Sequence, residues 1–248
     1  MANLEAHMAD ENTAPTPALT THRFDLHMHS FFSLDAANSP EDLIAAAKAR
    51  GLSGIAITDH DSCEAHEYLR AKGLARENGE AVDGFLVTPG VEVSTAEGHL
   101  LCLGTTLPGM AGRPAAEVVK AIHDRGGLAI PSHPYDRWRS GIREAILDKV
   151  PFDGLEVFNA AVSNRRYNVQ ARTYAERRGL SMTASSDAHH ASAVGVSRTA
   201  FDMETLNLSN LLAALRTGGR PEGEYLSRRE AVKKHFGNLF RMLNRRKH

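Results

Sequence analysis

Histidines and acidic residues recur at the ends of short apolar segments in this sequence. His27-Met28-His29 ends one segment, Asp59-His60-Asp61 follows another, and Asp187-Ala188-His189 follows a third. Residues two apart in a strand point to the same side, so both side chains of such a pair can face one ligand. The other segments end in or begin with one such group each: Glu92, His99, His133 and Glu156.

This combination of residue types is typical of a metal centre. Neutral imidazole and carboxylate are good ligands for zinc, manganese and iron. Each motif taken singly is more often a solvated or hydrogen-bonded group than a ligand. Burying many titratable groups at one place is costly unless a charge compensates them, and divalent cations would do so. The recurrence therefore predicts divalent metal ions bound where the segments end.

The order of strand and helix patterns predicts how these residues come together. The predicted strands are residues 23–29, 54–58, 85–94, 100–103, 127–131, 154–158 and 181–185, with a further strand at 196–201. Helical patterns separate them, the first beginning after an N-cap at Ser39 and ending at Gly51. Such alternation favours a parallel sheet closed into a barrel of β/α units, with an open doubly wound sheet as the alternative. In such a barrel the active site lies at the C-terminal ends of the strands.

Length and composition favour one globular α/β domain with flanking segments. The chain has 248 residues, of which 42% are hydrophobic and 24% are charged. Residues 1–22 are predicted to be a disordered N-terminal segment, residues 23–227 one domain that carries the predicted metal centre, and residues 228–248 a basic amphipathic C-terminal helix. Two interpretations of that helix stay open: it docks on the domain, or it contacts an anionic partner.

Charge and segment lengths also limit the partners. The formal net charge of −1 gives no reason to expect a membrane or nucleic-acid partner. The sequence shows neither a secretory signal nor an apolar run of the roughly 18 residues that span a membrane. Cys63 and Cys102 are too few for a disulfide framework. We therefore expect a cytoplasmic protein whose two cysteines are reduced.

The motifs, taken in order, resemble those of the PHP (polymerase and histidinol phosphatase) superfamily. They are HMHS at 27–30, TDHD at 58–61, GVE at 90–92, SHP at 132–134 and SDAH at 186–189. The resemblance covers residues 24–200 and is closest to the small stand-alone phosphoesterases. It implies a distorted seven-stranded (β/α)7 TIM-like barrel and a trinuclear metal centre.

Carried over motif by motif, the resemblance implies nine ligands for two or three Mn, Zn or Fe ions. The first ion would be held by His27, His29, Glu92 and Asp187; the second by Glu92, His99 and His133; and the third by Asp35, His60 and His189. The predicted catalytic residues within this set are Glu92, Asp187 and His189.

The predicted reaction is metal-dependent hydrolysis of a phosphomonoester of a small molecule, a nucleotide or a sugar phosphate, by a hydroxide that bridges two metals. Arginine matches the geometry of phosphate oxygens, and Arg137 and Arg139, which closely follow His133, are predicted to bind the substrate. One alternative is a nuclease or phosphodiesterase acting on nucleic acid. Another is a binding module with a degenerate metal site.

Overall fold

The computed structural model describes residues 18–226, in which strands and helices alternate along the chain. The strands are β1 (Thr20–Asp25), β2 (Gly54–Ala56), β3 (Leu86–Thr88), β4 (Gly90–Thr95), β5 (Gly98–Leu103), β6 (Leu128–Pro131), β7 (Gly154–Asn159), β8 (Ser181–Ser185), β9 (Ser197–Met203) and β10 (Arg220–Gly223). The helices are α1 (Pro40–Ala49), α2 (Glu64–Ala71), α3 (Ala115–His123), α4 (Glu144–Leu147), α5 (Arg165–Arg178) and α6 (Leu208–Thr217). None of these helices is long and apolar enough to cross a membrane. The predicted C-terminal helix at 228–248 lies outside the described residues, as do residues 1–17.

Hydrogen bonding groups the strands into three sheets of an α/β fold. Their orders are β10-β9-β1-β2-β3, β4-β5-β6 and β7-β8. Two isolated parallel bridges extend the pairing: Met28 with Ala188, which lie beyond β1 and β8, and His60, beyond β2, with Glu92 of β4. Because pairing within residues 18–226 defines three sheets, the closed seven-stranded barrel stays a prediction.

The predicted parallel pairing holds for β1 with β2, β2 with β3 and β7 with β8, but not for the other strands. β4, β5 and β6 pair antiparallel, and so do β1, β9 and β10. The predicted strand at 85–94 is two strands that pair with different sheets. They separate at Pro89, which has no backbone N–H to donate to a neighbouring strand.

The predicted boundary of disorder at residue 22 is also wrong, because β1 begins at Thr20. Thr20 pairs with Met203, and the antiparallel register continues to Phe24 opposite Thr199. Residues 20–22 are polar and mostly exposed, so their own pattern gives no strand signal. Hydrogen bonds to the distant strand β9 supply the order that the local sequence lacks.

The predicted start of the first helix is confirmed. The Ser39 hydroxyl accepts a hydrogen bond from the N–H of Asp42, and the Asp42 carboxylate accepts one from the N–H of Ser39. This reciprocal capping satisfies backbone donors that the helix leaves unpaired. Leu43 and Ala47 face inward and are fully buried against the sheet, which fixes the helix beneath the segment that carries His60.

The turn between β4 and β5 is fixed by close packing against a later loop. Gly98 has a φ of 144°, and a Cβ at this position would overlap the carbonyl oxygen of Ser140 and lie 2.9 Å from Cγ1 of Ile142. The N–H of His99 donates to that same Ser140 oxygen at 2.8 Å. Glycine at position 98 therefore lets the hairpin approach closely enough to position His99.

We expect Gly98→Ala to destabilise the fold more than a change of backbone preference alone would. Gly218→Ala is the control, because Gly218 also has a positive φ outside the left-handed helical region, 109°, and nothing within 4 Å of an added Cβ. The control should lower the free energy of unfolding by about 1–2 kcal/mol, and Gly98→Ala by more. Urea unfolding in the presence of a chelator would compare the two. Equal losses would contradict the packing argument.

Candidate metal centre

Glu92 of β4 lies at the centre of a buried cluster of histidines. Its side chain is fully buried. Oε2 faces three imidazole nitrogens: Nε2 of His27 at 3.2 Å, Nε2 of His29 at 3.4 Å and Nδ1 of His60 at 3.2 Å. Oε1 faces two: Nδ1 of His99 at 3.2 Å and Nε2 of His133 at 3.1 Å. One carboxylate is thus shared by histidines from several strand ends.

Two further carboxylates extend the cluster on the side of His29. Oδ1 of Asp187 lies 3.5 Å from Nε2 of His29 and 3.4 Å from Nδ1 of His189. Oδ2 of Asp35 lies 2.8 Å from Nε2 of His189 and 3.7 Å from Nε2 of His60. The structure therefore brings all nine residues predicted as ligands into one continuous cluster.

The potential ligand atoms fall into overlapping groups. Within each group the atoms lie within 4.8 Å of one another, which lets them share one ion. The groups are His29, Asp35, His60 and His189; His27, Glu92 and His133; His27, His29 and Asp187; and His60, Glu92 and His99.

Buried aspartates hold the segments that carry these ligands. Asp59 accepts hydrogen bonds from the N–H and the hydroxyl of Ser30, both at 2.6 Å, directly after His29. Asp25 accepts from the N–H of Ser186 at 3.0 Å and also from its hydroxyl. Ser186 precedes Asp187, so this pair fixes the end of β8 to the end of β1.

The pKa values show how the cluster compensates for burial. Burial by itself raises the pKa of Glu92, but interactions with His27 and His60 bring it well below its usual value. Burial by itself lowers the pKa of His27, but carboxylates, Glu92 foremost, bring it well above its usual value. Burial and the charges of neighbouring histidines lower the pKa of His29 well below its usual value. Glu92 and His27 thus compensate for each other's burial as an ion pair, and a metal ion would take over that role, because coordination requires ionised carboxylates and neutral imidazoles.

The donor set fits divalent metal ions. Several buried atoms of the cluster have no hydrogen-bond partner among residues 18–226: Oδ1 of Asp35, Nδ1 of His60, Oε2 of Glu92 and Nδ1 of His99. Ligand atoms arranged tetrahedrally about 2.1 Å from one ion lie roughly 3.4 Å apart. The separations around Glu92, 3.1 to 3.4 Å, match that spacing. Ion coordination would satisfy the atoms that hydrogen bonds leave unpaired.

Glu156 and Asn159 of β7 support the cluster and were not among the predicted site residues. Oε1 of Glu156 lies 3.1 Å from Nδ1 of His27, and Oε2 accepts from the N–H of His133 at 2.7 Å. Nδ2 of Asn159 lies 2.9 Å from Oε2 of Glu156 and 3.0 Å from Oδ2 of Asp187. The sequence signal available for both residues was their position at the end of a predicted strand, where the candidate ligands of the other strands also lie.

The two arginines predicted to bind substrate occupy different environments. The Arg139 guanidinium forms an ion pair with Oδ2 of Asp187, and its side chain is only 17% exposed. Arg137 is exposed and lines a cleft that His99 also lines. The charge of Arg139 is therefore engaged by a predicted metal ligand, whereas Arg137 lies on the cleft that borders the cluster at His99.

Comparison with known proteins identifies the family. Residues 165–219 match a family model described as PHP-associated. An uncharacterized protein of Methanocaldococcus jannaschii is 31% identical over 146 residues, which are 55% of this chain and 81% of that protein. A probable phosphatase of Enterobacter sp. strain 638 is 34% identical over 87 residues, which are 34% of this chain and 35% of that protein.

Solved structures share the fold at low sequence identity. A two-domain protein from Bacteroides vulgatus, which contains a predicted PHP-like metal-dependent phosphoesterase, has a TM-score of 0.67 and 19% identity over 94% of this chain and 75% of its own. The lesion-specific endonuclease PfuEndoQ from Pyrococcus furiosus has a TM-score of 0.62 and 20% identity over 82% of this chain and 58% of its own. The resemblance seen in the motifs is thus confirmed: the chain belongs to the PHP superfamily, whose members include metal-dependent phosphoesterases.

We expect Glu92→Gln to remove more bound metal than any single histidine substitution. The change keeps the size of the side chain but removes the negative charge that five histidines surround. Glu67→Gln, at an exposed position of α2, is the control. Elemental analysis after reconstitution with manganese should give two or three equivalents for the control. Full metal content in Glu92→Gln would contradict the central role of this carboxylate.

Glu156→Gln should weaken metal binding while leaving the ligand set unchanged. The amide would place an N–H₂ group either against the donors of His133 and Asn159, which now face Oε2, or against His27, which now faces Oε1. Substitutions of residues that orient metal ligands typically cost about 10–100-fold in metal affinity. Competition with a chelator would measure the loss, and the melting temperature of the metal-free proteins would serve as control. Unchanged affinity would show that Glu156 does not orient the site.

Proposed function

We propose that this chain hydrolyses phosphomonoesters of a small molecule, a nucleotide or a sugar phosphate, with two or three bound divalent metal ions. The observation that carries the proposal is the convergence of six histidines and two further carboxylates around Glu92. The phosphatase name of one relative supports the reaction class. We further propose that the strands form the distorted seven-stranded barrel of the family, supported by the bridges at Met28 and His60.

The assignment of ligands follows the contacts around the three carboxylates. His27, His29 and Asp187 form one group with Glu92 at its edge. Glu92 also contacts His99 and His133, which suits a second ion that shares this carboxylate. The third group contains the remaining predicted ligands, Asp35, His60 and His189.

The protein's own residues prepare the site for phosphate ester hydrolysis. Bound divalent ions would lower the pKa of water toward neutrality and neutralise the phosphate oxygens. Glu156 accepts a hydrogen bond from His27 at Nδ1, which leaves Nε2 directed at Glu92 and Asp187. Arg139 and Asn159 engage Oδ2 of Asp187, so that Oδ1 faces the histidines.

Substrate capture is assigned to the entrance of the cluster. Arg137 is exposed beside it, and its planar guanidinium can donate two parallel hydrogen bonds to an anionic group of the substrate. Arg139 faces inward, where its charge offsets that of Asp187. His189 contacts both Asp35 and Asp187, and thereby links two of the ligand groups.

The alternative function is a nuclease or phosphodiesterase acting on nucleic acid. It is favoured by the similarity in fold to a lesion-specific endonuclease. Both reactions use a phosphate ester and the same kind of metal centre, so the choice of substrate separates them. Comparing a small phosphomonoester with a DNA oligonucleotide would therefore decide between the two functions.

With manganese present, the protein should release phosphate from p-nitrophenyl phosphate and from nucleotides or sugar phosphates. His29→Ala and Asp187→Ala should reduce turnover to background, because each removes a group directed at the metal cluster. His123→Ala is the control, since His123 pairs with Asp153 outside the cluster. Wild-type rates in both site variants would exclude these residues from the site. Cleavage of an oligonucleotide without phosphate release would favour the nuclease.

A further inference from the structure

A cleft of about 500 Å³ opens beside the metal centre. It lies between the β4–β5 turn and the segment that runs from Arg137 into α4. The polar and charged residues that line it include Ser94, Glu97, His99, Arg137, Ser140 and Arg143. His99 also contacts Glu92 at 3.2 Å, so the cleft borders the metal centre.

The charge of this cleft is opposite to that of the carboxylate-rich centre. Arg137 and Arg143 are both exposed, and neither has an ion pair among residues 18–226. Glu97 is the one acid among the described residues that line the cleft. Its Oε2 accepts a hydrogen bond from the N–H of Ala115 at 2.7 Å, which directs that oxygen toward the start of α3. Two guanidinium groups therefore remain available to an anion.

The loop that carries the arginines is held in place by internal hydrogen bonds. Asp136 is fully buried and accepts from the N–H and the hydroxyl of Ser163. The Asp136 carbonyl accepts from the N–H of Gly141 at 2.8 Å, and the Ser140 carbonyl accepts from His99. The cleft is thus formed before ligand binding, at a fixed position relative to the metal centre.

We propose that this cleft binds a second anionic group, a phosphate or a carboxylate, of a substrate whose scissile phosphate lies at the metal centre. The proposal rests on the proposed phosphomonoesterase function and deepens it. The volume lies within the roughly 300–1,000 Å³ typical of small-molecule pockets. Guanidinium groups recognise both phosphate and carboxylate through paired hydrogen bonds. Arg137 and Arg143 are assigned as residues that determine this specificity.

Three six-carbon substrates test the proposal with a constant chain length. Glucose 6-phosphate carries one anionic group, glucose 1,6-bisphosphate carries two phosphates, and 6-phosphogluconate carries a phosphate and a carboxylate. We expect one or both of the doubly anionic substrates to have a KM about tenfold lower than glucose 6-phosphate, equivalent to one charge-assisted hydrogen bond. The comparison between them identifies which anion the cleft selects.

Arg143→Gln should bring the KM of the preferred doubly anionic substrate closer to the KM of glucose 6-phosphate. Arg137→Gln should act in the same direction. Arg76→Gln is the matched control, because Arg76 is exposed and does not line the cleft. Equal KM values for all three substrates in an active wild-type protein would overturn the cleft proposal and leave the proposed function intact. A preference found only for a single-stranded oligonucleotide, and lost in Arg143→Gln, would also overturn it.

A binding measurement keeps the cleft testable even if no hydrolysis occurs. Trp138 is the single tryptophan of the chain, is 86% exposed and adjoins Arg137. Its emission should therefore report titration of the metal-loaded protein with hexane-1,6-bisphosphonate and with hexylphosphonate. We expect tighter binding of the bisphosphonate, and a smaller difference in Arg143→Gln. Equal affinities would overturn the cleft proposal, whereas absent turnover of every phosphomonoester would overturn the proposed function alone.

Discussion

The buried carboxylate of Glu92 imposes the constraint on which the surrounding structure depends. Removing an ionised carboxylate from water is costly unless opposite charge and hydrogen bonds compensate for it. Here five histidines supply that compensation, and Ser132 donates a hydrogen bond to Oε1 at 2.7 Å. The histidines come from the ends or beginnings of strands in two sheets, so a shift of either sheet would leave the charge uncompensated. The geometry of the site therefore depends on how the two sheets pack against each other.

Around this carboxylate, successive groups of residues alternate in charge. Glu156 and Asn159 fix the histidines and Asp187 from one side, and Arg139 neutralises the outer oxygen of Asp187. Beyond them, Arg137 and Arg143 leave positive charge at the entrance. This order suits the proposed anionic substrate, because exposed arginines would attract a phosphate that the carboxylates alone would repel.

The features that could be predicted from the sequence are those that depend on residues close together along the chain. The strand at 181–185 and the cap at Ser39 follow from short patterns, and the two-residue spacing at His27 and Asp187 indicates the candidate ligands that the fold brings together. The antiparallel pairing of β1 with β9 was missed because it joins residues about 180 positions apart without an apolar pattern in residues 20–22. The orienting role of Glu156 was missed for a similar reason, since His27 is 129 residues away in sequence. Inward packing of Arg139 likewise depends on a partner that only the fold brings close.

Anomalous diffraction from crystals of the metal-loaded protein would test the central claim most directly. Data collected at the manganese, iron and zinc absorption edges would place each ion relative to Glu92. The account predicts two or three peaks, with both oxygens of Glu92 at coordination distance, about 2.0–2.2 Å, from different ions. A single peak away from Glu92, or none within this cluster, would contradict it.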